Sequence, residues 1–198
     1  MIERICPICK SPSSGEKCIN PKCGYKTVMS STIYWCEECN IPIYNDTCPV
    51  CGNKGKYMAT DVRPVFPEEN MLISLILTGN PFEFQKQSMW YGANNYIIDG
   101  VKHKVSISEI NKWPIDKVKA LKEEYEKNAV DIDYTYFDEY KTRFIEANRD
   151  RYNYITEEAV NFVQQYTKRY SLEDMMVSFS GGKDSTVTSH IVNVALGT

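Results

Sequence analysis

All eight cysteines of the 198-residue chain lie between Cys6 and Cys51. They fall into pairs: Cys6-Pro-Ile-Cys9, then Cys18 with Cys23, then Cys36-Glu-Glu-Cys39, then Cys48-Pro-Val-Cys51. Eight residues separate Cys9 from Cys18, and again Cys39 from Cys48, so the segment is a quasi-repeat. Two residues between thiolates let one tight turn present both sulfurs to one ion, and a second turn completes a tetrahedral shell. Cys6, Cys9, Cys18 and Cys23 are therefore one expected ligand set, and Cys36, Cys39, Cys48 and Cys51 the other. Gly24 and Gly52 follow the second cysteine of a pair, where glycine relieves a turn whose amides point back at the sulfurs.

Four-thiolate shells leave no open coordination position, so both sites are expected to be structural, holding together segments too small to bury a core. Two Zn2+ ions are the first reading of this regular pairing. Iron, rubredoxin-like or in a cluster, is the alternative, since tetrahedral sulfur also suits it. A disulfide framework belongs to secreted mini-proteins, and the N-terminus lacks the charged and apolar regions of a signal peptide. A redox Cys-x-x-Cys would need a thioredoxin-like strand and helix around it, which no pair has. The first module, with four residues between Cys18 and Cys23, is expected to be the looser. The segment resembles zinc ribbons, which serve as scaffolds and as docking surfaces for nucleic acid or protein.

The second chemical signal is Ser178-Phe-Ser-Gly-Gly-Lys-Asp-Ser185. Two glycines allow unusual dihedrals and close backbone approach, so successive amides can point into one concavity that holds phosphate oxygens. A following helix adds positive partial charge there. Ser180 and Ser185 offer hydroxyls, Lys183 a point charge, and Asp184 either a helix cap or a ligand for Mg2+. The four-residue spacer of a Walker loop is absent.

These residues need elements to position them. Met175 to Phe179 is a short apolar run of the buried parallel-strand kind, and Thr186 to Leu196 reads as a helix with Val187, Ile191, Val194 and Ala195 on one side. Upstream, Thr156 is the expected N-cap of a helix whose Ala159, Phe162, Val163, Tyr166 and Tyr170 share an apolar face. Helices are also expected from Trp113-Pro114 to about Asn128 and from Phe137 towards Tyr152. Between Asp61 and Lys112, Glu68 to Leu77 reads as a helix opened by Pro67 and stopped by Gly79. Asp99-Gly100 marks a hairpin between Tyr96-Ile-Ile and Val101 to Ile107.

Composition is that of a soluble globular protein, with 42% hydrophobic and 25% charged residues. The run Met71 to Leu77 is too short to cross a bilayer, and a cytoplasmic location is expected. A formal net charge of -3 gives no global reason to expect nucleic-acid binding; residues 1–60 hold seven Lys or Arg against five Asp or Glu, a slight local excess.

Phe179 to Thr186 looks like the PP-loop of the adenine-nucleotide alpha-hydrolase superfamily. The stretch from Phe144-Ile-Glu-Ala-Asn-Arg149 to that loop is similar to the phosphoadenosine phosphosulfate (PAPS) reductase family. Met89-Trp-Tyr-Gly92 and the hairpin resemble the PUA-like segment that precedes the nucleotide domain in some members. What the resemblance implies is a doubly wound, HUP-like α/β domain that holds ATP, adenylyl sulfate or PAPS with its phosphates on Ser180, Gly181, Gly182, Lys183, Asp184 and Ser185. It implies an enzyme of activated-sulfur or adenylyl-transfer chemistry.

The expected organisation is α/β preceded by zinc ribbons and a small α+β domain: ribbon modules over 1–29 and 30–60, the PUA-like domain over 61–112, a helical segment over 113–170, and the start of the nucleotide domain over 171–198. With one strand and one helix after residue 170, the last is read as incomplete, a full domain needing on the order of 100 further residues, and the fragment as inactive alone. The alternative is a binding module in which the ribbons and PUA-like segment hold RNA, DNA or a protein. Trp90, Tyr91, Lys102, His103 and Lys104 would then supply a stacking and phosphate surface, against the plainer reading of core aromatics beside a solvated basic turn.

Overall fold

A computed structural model describes residues 4–197. The chain divides into two compact units, one running to Asn148 and one from Arg149 onward. The architecture is mixed α/β, with small antiparallel sheets and helices.

In the first unit each cysteine group sits beside a three-stranded sheet. Strands β1 (Arg4–Ile5), β2 (Pro12–Ser13) and β3 (Val28–Met29) pair in the order β2-β1-β3, and β4 (Ile33–Cys36), β5 (Ile41–Ile43) and β6 (Lys56–Ala59) in the order β5-β4-β6. A four-stranded sheet follows, β7 (Arg63–Pro64), β8 (Met89–Gly92), β9 (Asn95–Ile98) and β10 (Val101–His103), in the order β10-β9-β8-β7. Helix α1 (Pro67–Thr78) has Pro67 in its first turn and ends on Gly79 in the left-handed conformation, as its flanking residues predict.

Successive residues of a strand face opposite sides of its sheet, and β8 and β9 use both sides. Met89 and Ile98 join Ile73 of α1 and Val65, just before that helix, in one cluster. Trp90 and Ile97 join the other, which continues through Trp35, Ile41 and Ile43 of the second ribbon to Phe137 and Tyr140. The last two lie on α4 (Thr135–Ala147), reached through α2 (Ile107–Ile110) and α3 (Ile115–Asn128). The Phe144 ring lies 4.7 Å from Trp90, and Tyr140 donates to the Val65 carbonyl at 3.0 Å. The second ribbon thus shares one core with the sheet and α4.

The hairpin and the helix after Pro114 form as expected, although β10 stops at His103 and Ile107 opens α2. The helix expected from Phe137 to Tyr152 breaks at Asn148, whose side chain turns back to β5. In consequence Thr156 is not an N-cap: it lies inside α5 (Arg149–Thr167).

The second unit consists of α5, a 3-10 turn at Leu172–Asp174 capped by Ser171, and α6 (Lys183–Leu196), which packs along α5. Two expected faces are corrected here. Phe162, Tyr166 and Tyr170 form an exposed ladder with ring spacings of 5.0 and 6.4 Å, while Ala159 and Val163 are half-buried. On α6, Ile191 and Ala195 are half-buried and Val187 and Val194 exposed. Residues 175 to 179 are not a strand among the described residues and belong to none of the sheets; Met175 is nonetheless extended.

Candidate functional site

The eight sulfurs form two groups, Cys6, Cys9, Cys18 and Cys23, and Cys36, Cys39, Cys48 and Cys51, each with all four within 4.8 Å of one another. Both groups cross in the same way. Cys6 lies 3.6 Å from Cys23 and Cys9 3.4 Å from Cys18; Cys36 lies 3.4 Å from Cys51 and Cys39 3.7 Å from Cys48. Sulfurs bound to one ion at ~2.3 Å would stand ~3.8 Å apart at tetrahedral angles. Each group can therefore hold a metal ion.

The backbone shows why the pairs converge. The residue after the second cysteine of every pair is left-handed: Lys10, Gly24, Asn40 and Gly52, with φ of 60°, 63°, 56° and 76°. That conformation folds the chain back, so that Lys10 donates to the Cys6 carbonyl at 3.0 Å and Gly52 to the Cys48 carbonyl at 2.9 Å. Glycine signals the turn in the sequence at two of the four positions. Asn40 is a type that tolerates it, and Lys10 gives no signal. Amides also reach the sulfurs, Asn20 to Cys18 and Cys39 to Cys36, each at 3.4 Å.

The thiols are not alike. The Ser11 hydroxyl, then its amide, hold Cys9 down at about 6. The Cys9 amide lowers Cys6, and the Asn53 amide lowers Cys51. Although the Asn20 amide favours its thiolate, burial and three neighbouring sulfurs push Cys18 up to about 12. Burial pushes Cys36 up to about 11 and also raises Cys23 and Cys39. Four sulfurs this close cannot all be thiolates unless a cation offsets their repulsion, which is the donor chemistry a divalent metal needs.

The two groups differ in support. Cys36 and Cys48 belong to the large hydrophobic cluster, with Cys39 and Cys51 packed on it. Among the described residues, no residue of the first ribbon belongs to either cluster, and Cys9 is exposed. The first ribbon is tied instead by Arg4, which donates to the Thr27 hydroxyl at 2.9 Å and its carbonyl at 2.8 Å.

In the Ser180–Ser185 loop, Gly181 is left-handed with φ 78°, Gly182 is the N-cap, and α6 begins at Lys183. The helix starts three residues earlier than expected, which places Lys183, Asp184 and Ser185 on its first turn. No side chain caps it, so Asp184 is not the cap and instead complements the positive helix end. Ser180 and Ser185 hydroxyls lie 3.1 Å apart, and Ser185 and Thr186 both donate to the Gly182 carbonyl, at 2.9 and 3.0 Å. Residues 180 to 184 are all exposed.

Of the residues that the binding-module alternative would use as a stacking and phosphate surface, several are engaged within the fold. Trp90 is 1% exposed and donates to Ser88 at 2.9 Å, and Lys102 donates to the Met58 carbonyl at 2.9 Å. Tyr91 packs on Tyr96 with Arg63 over its ring, and the His103 ring lies 6.3 Å from Phe84. The plainer reading, core aromatics, holds at Trp90. No known protein family, curated protein or solved structure matches the chain.

Proposed function

We propose that this chain is a zinc-stabilised adenine-nucleotide-binding protein acting in activated-sulfur or adenylyl-transfer chemistry. Zinc is the ion in both tetracysteine groups, and its role is structural, because four sulfurs fill the shell. Residues 180 to 185 hold the phosphates of ATP, adenylyl sulfate or PAPS. The observation that supports the nucleotide reading most is the left-handed Gly181 directly before the N-cap of a helix whose first turn lacks a side-chain cap. The amides of that turn are free to receive phosphate oxygens, with Lys183 as countercharge and Asp184 beside it for Mg2+.

A Cβ at Gly181 would meet nothing within 4 Å, and one at Gly182 only the Ser180 hydroxyl at 3.6 Å. Replacing both by alanine therefore overpacks nothing and tests the cradle through the left-handed backbone at Gly181, which alanine disfavours. Calorimetric titration of ATP with Mg2+, adenylyl sulfate and PAPS should show binding of at least one that Gly181→Ala/Gly182→Ala abolishes. Unchanged affinity for all three would end the cradle assignment.

The second reading is the binding module, favoured by the lysines of the first ribbon. Among the described residues Lys10, Lys17, Lys22 and Lys26 make no ion pair.

A further inference from the structure

We infer that the first ribbon is a docking ridge for single-stranded nucleic acid, an inference that rests on the binding-module reading of the ribbons. The two ribbons correspond position by position when counted from their cysteines. Two isolated antiparallel bridges occupy equivalent positions, Lys17 opposite Lys26 in the first ribbon and Thr47 opposite Lys54 in the second. Each joins the residue before the third cysteine to the residue three past the fourth. The flanking hydrogen bonds also correspond: Thr27 donates to the Glu16 carbonyl at 2.8 Å, and Gly55 to the Asp46 carbonyl at 2.7 Å.

Equivalent backbones carry different charge. In the second ribbon the lone lysine of the bridge has Asp46 at 3.9 Å. In the first, two lysines face each other, and Glu16, the counterpart of Asp46, pairs with neither. Like charges directly opposite on a ladder disfavour the fold unless an anion lies over them. The imbalance extends through the module: residues 1–29 hold five Lys or Arg against two Glu, while residues 30–60 hold two against three Asp or Glu. In a protein of net charge -3 the positive potential is therefore concentrated on one small ribbon.

Charge alone would suit any polyanion; the apolar side chains narrow the class. Tyr25, between Lys22 and Lys26 in sequence, is 58% exposed and makes no ring contact among the described residues. Ile8 and Ile19 are likewise exposed. Aromatic and aliphatic surface beside lysines suits unpaired bases and their phosphates, because a duplex hides its base faces. The first ribbon also lies outside the shared core, so it presents this surface without a structural duty there.

The test is fluorescence anisotropy of the full chain with labelled single-stranded DNA and RNA oligonucleotides of mixed sequence, and with the corresponding duplex. The single strand, DNA or RNA, should bind in preference to the duplex, with the logarithm of affinity falling against the logarithm of salt at a slope of about -3 for four lysine contacts. Lys17→Ala/Lys26→Ala should weaken binding on the order of tenfold and reduce the slope by about 1.4. Tyr25→Ala should weaken it on the order of tenfold with the slope kept. Lys54→Ala, the counterpart in the second ribbon, should change affinity by less than about twofold. Retained zinc content in each variant shows that the ribbon stays folded. Wild-type-like binding by both ridge variants would overturn the ridge while leaving a binding module elsewhere. No binding by the wild-type chain would overturn both. Equal binding of duplex, or equal displacement by polyglutamate, would overturn the single-strand assignment.

Discussion

Asn40 donates from Nδ2 to the Asp99 carboxylate across 2.6 Å, joining the turn that follows Cys39 to the tip of the β9–β10 hairpin. Both residues are left-handed, with φ of 56° and 46°. The same Asp99 oxygen accepts from the Ser88 amide at 3.0 Å, so one carboxylate ties a cysteine turn, a strand entrance and a hairpin. Asn40→Ala should cost about 1–2 kcal/mol, combining a strained dihedral with a lost hydrogen bond. Asn40→Gly should cost less, because glycine accepts the dihedral. Urea unfolding of the two variants separates these contributions; equal losses would mean that the dihedral is irrelevant.

Asn148 binds the edge of β5 as a further strand would. Its amide nitrogen donates to the Pro42 carbonyl at 3.1 Å, and its oxygen accepts from the Tyr44 amide at 2.9 Å. The residue is buried, so Asn148→Ala removes both of these bonds from the edge of β5 and should cost about 2–4 kcal/mol. Asn148→Asp sets a carboxylate oxygen against the Pro42 and Phe144 carbonyls in a buried site, and should cost more than alanine. Shifts of the urea midpoint at constant slope would check both.

Acid should weaken the first unit through Glu69. The Arg63 guanidinium, bonded to both carboxylate oxygens at 2.7 Å, and then the Tyr96 hydroxyl hold Glu69 below its ordinary value of 4.5. A carboxyl whose folded value is depressed stabilises fully above the unfolded value and loses that contribution as pH falls through the folded one. Stability should therefore be flat in this respect near neutrality and decline below about pH 4.5. Glu69→Gln should lower stability near neutrality and flatten the acid limb. An unchanged acid limb in a series of urea midpoints would show that the Arg63 pair does not govern it.

Much of this architecture is legible in the residues. Cysteine spacing foretells the two groups, because two-residue turns act locally, and Pro67, Gly79 and Asp99-Gly100 mark α1 and the hairpin for the same reason. What depends on distant partners is not. Asn148 looks like a helix residue until β5 offers it an edge, and Thr156 looks like a cap until Arg149 is seen to restart the helix upstream. Phe162, Tyr166 and Tyr170 have helical spacing, yet spacing says only that they share a face, not that anything covers it. Lys17 and Lys26 become a pair only when the bridge sets them opposite each other.

In the proposed function zinc occupies both tetracysteine groups, each of which can hold a metal ion. Because Cys48 is part of the shared core and Cys9 is exposed outside it, losing either site should have different reach. Cys9→Ser should release one ion and leave the urea midpoint of the sheet and α4 nearly unchanged, whereas Cys48→Ser should release the other and destabilise them. The most direct measurement is elemental analysis of the full chain purified without added metal. The expected result is one zinc for each of the two groups, falling by one in either variant. Folded protein with iron in zinc's place, or with one zinc or fewer per chain, would contradict it.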